Sequence, residues 1–215
     1  MNFRSFGPDE FLFLLTGLQW TVLLTAIALI GGGLAGFLIA LARVSTFKWL
    51  RVFAGTYIQI IQGIPVLMIL FLSYYGLSLA GFDLHPLLAA GASMSIYASG
   101  YLAEIWRGCI QSVPKQQWEA SESLAMTRLQ QYRYVILPQA VRISLPSTVG
   151  FAVQVVKNTS IASIIGFVEL ARAGTLINNA TFQPFRVFIM VAALYFAVCY
   201  PLSLLSRWLE RRLNV

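Results

Sequence analysis

Charge is what this chain has least of. Asp, Glu, Lys and Arg make up 11% of its 215 residues, less than half the roughly 25% of a soluble globular domain. That shortage excludes a soluble domain and a disordered chain, both of which depend on charge at a wetted surface. Cysteine is nearly as scarce. Cys109 and Cys199 stand in apolar surroundings and provide neither a disulfide framework nor a metal set. The single histidine, His85, is too few for His-based zinc chemistry or a proton relay. No G-x-x-x-x-G-K-[ST] phosphate loop occurs, which excludes a P-loop ATPase. What is abundant is apolar: 58% hydrophobic residues and a mean hydropathy of +0.74. The class that remains is an integral membrane protein.

The few charges divide the chain into windows. Residues 11–42, 52–82, 84–103, 143–156 and 187–206 contain no Asp, Glu, Lys or Arg. All but the fourth reach the roughly 20 apolar residues that cross a hydrocarbon core. The window at 143–156 spans only if Lys157 and the apolar run 161–168 belong to the same helix or a broken one. The expectation is an all-α polytopic bundle of about five transmembrane helices, near 11–41, 52–80, 86–108, 139–162 and 185–206, forming one domain over 1–215. Eleven of the fifteen Lys and Arg fall in the segments 43–51 and 107–142 and in the tail. The positive-inside rule places those segments in the cytoplasm, so the N-terminus lies outside and the C-terminus inside. Arg4, Arg172 and Arg186, with Asp9, Glu10, Asp83 and Glu169 beside them, then lie outside. The net charge of +7 is mostly this bias and needs no nucleic acid.

Several features have structural readings. Gly32 and Gly36 form a GxxxG spacing, which serves internal helix packing or contact with a second subunit. Pro65, Pro146 and Pro201 sit in or near spans, where kinks are tolerated. The aromatic-rich stretches fit interfacial belts and lipid-facing surfaces. The sequon matches at Asn158 and Asn179 are read as chance.

The segment 109–138 is the informative one. Pro114 suits a first helical position, and Thr127-Arg128-Leu129-Gln130 has the capping-box pattern that opens a second helix. The break between them falls near Ala125 and Met126, and Pro138 marks entry into the fourth span. A helix–turn–helix with Trp118, Leu124, Leu129 and Tyr132 available for contacts reads as a docking element; its bland alternative is an amphipathic linker.

Glu119-Ala120-Ser121, then Ala125, then Val135, Leu137 and Pro138 resemble the EAA loop of bacterial ABC importer permeases, with every spacing kept. Ser121 replaces the family's usual Ala and Ala125 its Gly. The segments Gln62-Gly-Ile-Pro-Val-Leu, Tyr101-Leu-Ala-Glu-Ile-Trp-Arg-Gly108 and Val156-Lys-Asn-Thr-Ser160 are similar, in matching order, to the polar amino-acid branch of that family. The resemblance covers about residues 11–212. It implies a type I importer fold and a non-catalytic membrane subunit of the bacterial inner membrane. It also implies pairing with a second copy or a homologous permease. Two ATP-binding cassette subunits would carry ATP and Mg, with no cofactor on this chain, and an external binding protein would deliver the substrate. Within the loop, Glu119, Ala120, Ser121, Ala125, Arg128, Leu137 and Pro138 are the candidates for ATPase coupling, with Arg133 as a supporting charge.

Candidates for the substrate pathway are polar groups at membrane depth, which are costly there and default to function. Glu104 is one, although Arg107 at i+3 is placed to pair with it. Lys157 has no close partner in sequence and is followed by Asn158, Thr159 and Ser160; a cation beside hydrogen-bond donors suits a carboxylate, and a salt bridge across the bundle is the rival reading. Gln59, Gln62, Tyr101 and Gln154 complete the set. The competing function is an ion-coupled carrier or channel subunit without an ATPase, but five spans without an internal repeat are unusual for such carriers. An intramembrane enzyme lacks a nucleophile–base pair, a metal cluster or a carboxylate pair.

Overall fold

The computed structural model describes residues 6–213; Arg4, counted above among the outer charges, lies outside them. The described residues form helices and no strand. Eight helical elements follow in chain order: α1 (Pro8–Val44), α2 (Lys48–Gly63), α3 (Val66–Leu79), α4 (Pro86–Ser112), α5 (Lys115–Ser123), α6 (Arg128–Ile165), α7 (Leu170–Thr181) and α8 (Pro184–Leu213).

By length and composition α1, α6 and α8 can each cross a membrane, and α2 with α3 makes a fourth, bent span. The expected single helix over 52–80 is corrected here: α2 and α3 meet at 100°. The cause is Pro65, whose ring keeps the preceding residue out of the helical region. Ile64 accordingly has φ −107° and ψ 130°. The expected third span is α4, which has 27 residues but is diluted by Ala, Gly, Ser and Tyr.

That dilution is why α4 forms the centre. Small side chains let neighbouring backbones approach closely, the favoured way to pack helices in lipid. Along α4, Ala89, Ala90, Ser93, Ala98, Ser99 and Ala103 are fully buried. The longest neighbour is α1, where Gly32 and Gly36 face it directly. A Cβ on Gly32 would lie 2.5 Å from the Ala98 Cβ, and one on Gly36 would lie 2.9 Å from the Ser99 carbonyl oxygen. The GxxxG spacing therefore packs α1 on α4 within the chain. On the other side Gly100 admits Ile61 of α2, 2.7 Å from where a Cβ would be, and the Tyr57 hydroxyl bonds the Ser99 hydroxyl at 2.6 Å.

Helix α6 starts at Arg128 and continues without interruption to Ile165. Pro138, expected at the entry into the fourth span, lies inside a helix already running. The missing Pro N–H is accommodated by a π-helical stretch at Gln131–Ile136 just before it, and the Gln139 side chain donates to the Val135 carbonyl at 2.8 Å. At the far end the helix tightens to 3-10 geometry over Thr159–Ile165, joining Lys157 and the following apolar run in one element.

Gly166, at φ +84°, turns the chain into α7. Its N-cap is Glu169, one of the charges assigned to the outer side, and the residue is fully buried. Its carboxylate accepts the amides of Ala171 and Arg172, each at 2.8 Å, and the Tyr195 hydroxyl of α8 at 2.9 Å. Thr21 of α1 takes the Leu170 amide at 3.1 Å. Burial pushes the Glu169 carboxyl above the usual carboxylate range, while the two amides pull the other way. α7 is thus fastened to α1 and α8 by polar bonds at one end and by Leu14, Ala173, Ile177, Val187 and Val191 along its length.

Candidate functional site

Two regions gather most of the residues singled out from the sequence: the helix–turn–helix at 109–138, and a polar and aromatic strip between α4 and α6.

The helix–turn–helix is built as its caps dictate. Pro114 is the N-cap of α5 (φ −54°, ψ 139°) rather than its first helical residue; its fixed φ suits either place, and its carbonyl accepts the Gln117 amide at 2.9 Å. α5 ends in a Schellman turn. The Ala125 amide bonds the Glu122 carbonyl at 2.9 Å and the Met126 amide bonds Ser121 at 3.2 Å. This geometry requires a left-handed residue, and Ala125 takes it at φ +53°. Thr127 and Gln130 then form a reciprocal capping box, the Thr127 amide bonding the Gln130 side chain at 2.8 Å.

One face of this unit is tied to the body. Trp118 packs edge-on against Tyr132 at 5.3 Å, over a cluster of Ile110, Val113, Ile136 and Ala140. The Tyr132 hydroxyl reaches the Val44 carbonyl at the end of α1, 3.4 Å away. Ser121 is buried in this face, and its hydroxyl is satisfied by the Trp118 carbonyl at 2.7 Å. A Ser at the family's Ala position is therefore accommodated without an orphaned polar group. The other face points away: Glu119, Ala120, Ala125, Arg128 and Pro138 are exposed, and Leu137 is half-buried at the root. Leu124 and Leu129 stand 76% and 77% exposed at the tip, an apolar pair that the other described residues leave open. Arg128 and Glu122 bridge the turn at 3.3 Å, an exposed pair of small energetic value. Arg133 lies over the Tyr134 ring.

In the second region Tyr97 and Tyr101 of α4 stack with Phe151 of α6. Tyr101 and Phe151 are near parallel at 5.5 Å, and Tyr97 and Tyr101 lie 4.6 Å apart. Tyr97 and Phe151 are buried and Tyr101 partly so, an interior set beside the exposed aromatics such as Phe47, Trp49 and Phe53 that fit the lipid-facing reading. Gln154 donates to the Tyr97 hydroxyl at 3.0 Å, and the Asn158 side chain lies beside the same hydroxyl. One turn on, Lys157 is exposed and makes no ion pair with any described residue. The Thr159 and Ser160 hydroxyls are engaged by carbonyls of their own helix, at Val156 and Lys157.

Glu104 is separate from this strip. Arg107 holds it in a two-pronged contact, Nε to Oε2 at 2.8 Å and Nη2 to Oε1 at 2.5 Å, and also bonds Gln111. Gln59 and Gln62 are exposed on α2, and Gln62 sits just before the 100° corner. Sequence reasoning did not single out Phe151, Tyr97 or Trp106, whose indole donates to Thr148 at 3.0 Å. The first two contacts join residues about fifty apart, and the signal for them is only an aromatic at i and i+4 on α4.

The family model for "binding-protein-dependent transport system inner membrane component" matches residues 32–215. The chain belongs to that family. It is a permease component of the bacterial inner membrane, and its family's members are not themselves catalytic. Among curated permeases, the probable glutamine ABC transporter permease GlnM of Bacillus subtilis is 36% identical, over 96% of this chain and 95% of the relative. The L-cystine transport system permease TcyB of the same organism is 35% identical, over 98% and 89%. In a crystal structure of an amino acid ABC transporter with histidines, one chain superposes with a TM-score of 0.89 at 37% identity, covering 95% of each chain. The inward-facing MetNI methionine transporter superposes at 0.79 with 18% identity, over 97% of this chain and 99% of that one, a likeness of fold. The permease thus has the type I importer fold that the loop resemblance implies.

Proposed function

We propose that this permease forms half of the translocation pathway of an ATP-driven importer for polar amino acids or close derivatives. The observation that carries the coupling role is the two-faced helix–turn–helix. Trp118, Tyr132 and Ser121 anchor one face, while Glu119, Ala120, Leu124 and Leu129 are presented outward and exposed among the described residues. In this reading Glu119 and its neighbours seat in a cleft of a separate ATPase that holds ATP and Mg. Two such subunits, a second permease (identical or homologous) and an external binding protein complete the assembly. The loop and the C-terminus lie in the cytoplasm and the N-terminus outside.

The substrate class draws on Lys157, which makes no ion pair with any described residue and whose charge is felt at Cys199 of α8, and on Gln154 and Asn158, which meet the Tyr97 hydroxyl on a neighbouring face of the same helix. That set offers charge and hydrogen bonds to the carboxylate common to all amino acids. The names of the glutamine, cystine and other amino-acid permeases point to the same class. The carrier or channel reading gives the outward face of the loop no task.

Purifying the tagged chain from its native membrane tests the assembly. A P-loop ATPase is expected near one-to-one, with Glu119→Lys abolishing its recovery or uncoupling its hydrolysis from uptake. Undiminished uptake by Glu119→Lys would sink the coupling assignment. Recovery without any ATPase in several mild detergents would favour the carrier. For the substrate site, Lys157→Met should raise the concentration needed for half-maximal uptake at least tenfold while leaving the ATPase bound. Unchanged uptake would remove Lys157 from the pathway.

A further inference from the structure

The corner where α1 ends and α2 begins gathers positive charge, of which Arg43, Lys48 and Arg51 have no role described so far. Arg51 stands at its centre, lining three adjoining cavities of about 500, 380 and 510 Å³. Arg43 and Lys48 share the second of these with it, and Arg128 and Arg133 close the third. No carboxylate lines any of the three. Among the described residues, Lys48, Arg51 and Arg133 make no ion pair, and Arg128 has only the exposed Glu122. Arg43 is turned toward Glu104, whose two oxygens Arg107 already holds. Cations gathered in a concavity without counter-charge attract an anion.

A second observation narrows which anion. An apolar groove of about 210 Å³ runs between α1, α4 and α6, walled by Phe37, Trp106, Val141 and Leu145. Its wall also includes Ile110, which lines the first basic cavity, and Leu137, which lines the third. The apolar and basic volumes therefore adjoin. A free phosphate has no use for the groove, and a bare alkyl chain has none for the cations. A molecule with a phosphate at one end and an acyl chain at the other fits both. The rim agrees: Phe47, Trp49, Val52 and Phe53 are 58–72% exposed around Lys48 and Arg51, and aromatic side chains with adjacent basic ones sit at the level of lipid headgroups.

We infer that this corner binds an anionic phospholipid. Its phosphate lies on Arg51 with Arg43 and Arg133 around it, and one acyl chain lies in the groove past Leu137. Because Trp118 and Tyr132 line the first cavity, the lipid is in contact with the two residues that anchor the helix–turn–helix and braces it from below. The site is independent of what the permease transports.

Native mass spectrometry of the permease with its copurifying subunits reads the site directly, after exchange in mild detergent with phosphatidylglycerol or phosphatidylethanolamine. Phosphatidylglycerol is expected to be retained over phosphatidylethanolamine, with Arg51→Gln lowering its retention about fivefold and Arg51→Lys keeping most of it. Val141→Trp, at a half-exposed groove position, should lower retention with every cation in place. Excess glycerol 3-phosphate should displace nothing. Equal retention of the zwitterionic lipid, or unchanged retention in Arg51→Gln, would overturn the inference. So would displacement by glycerol 3-phosphate, which would mark a site for soluble phosphate. If Arg51→Gln does not assemble, Val141→Trp decides alone, and parental retention in that variant overturns it.

Discussion

Single positions decide how closely this chain packs and turns. Adjacent glycines on α1 make the point. A Cβ on Gly32 would meet the Ala98 Cβ at 2.5 Å and the Ser95 carbonyl oxygen at 2.8 Å, whereas one on Gly33 would have only the tip of Trp106, at 3.7 Å. The same substitution should therefore have opposite signs. Gly33→Ala gains about 0.5–1 kcal/mol from helix propensity, and Gly32→Ala loses about 1–3 kcal/mol to overpacking. Thermal unfolding of the two variants in one detergent checks this, and equal midpoints would refute the close approach. Ala125 is the converse case, a Cβ kept in left-handed backbone at φ +53°. Ala125→Gly relieves about 1 kcal/mol of that strain, less the entropy glycine adds to the unfolded chain. A higher unfolding midpoint for the assembled complex is expected, with coupling preserved.

At the scale of elements, what was legible in the sequence depended on whether the signal was local. The break at Ala125 and the start at Thr127 were readable because a cap is written within four residues. Four of the five apolar windows answer to helices long and apolar enough to cross, counting α2 with α3 as one, because hydrophobicity is additive along a segment; the window in α4 falls short, its hydropathy diluted by small and polar residues. The 100° corner was not, although Pro65 was visible, because a charge-free window of 31 residues carries length and no direction. The burial of Glu169 was hidden for a related reason. A charge count assigns a carboxylate between spans to a side of the membrane but not to partners, and only in the folded chain do the Thr21 and Tyr195 hydroxyls come to it from α1 and α8. Its role in holding α7 is directly testable. Glu169→Ala removes the acceptor for two amides and for a buried hydroxyl, a loss of about 1–2 kcal/mol from the cap alone. Hydrogen exchange should accelerate at the amides of Ala171 and Arg172 while those of α4 keep their protection. Uniform acceleration across both helices would mean that Glu169 supports the whole fold rather than this one attachment.

For the whole molecule, orientation is the first quantity to measure. Both native thiols are buried, so added cysteines report against a quiet background. With an impermeant maleimide on intact cells, Phe182→Cys should label and Leu124→Cys should not, and both should label once the membrane is opened. The reverse pattern would turn the topology over and remove the coupling assignment with it. Beyond orientation, the contact between α1 and α4 limits how the molecule can move. Where two backbones touch through Gly32, Gly36, Ala98 and Ser99, there is no side-chain layer to slide or repack, and tightly packed interfaces shift between discrete states rather than deforming gradually. The pair must therefore travel as a single lever. α5 hangs from one end of that lever through Ile110 and Val113, and α7 is fastened to its other end through Thr21. A displacement applied to the helix–turn–helix therefore has a packed route to α7 through α4 and α1. The compliance needed to open and close a path is left to the Ile64–Pro65 corner and to α8.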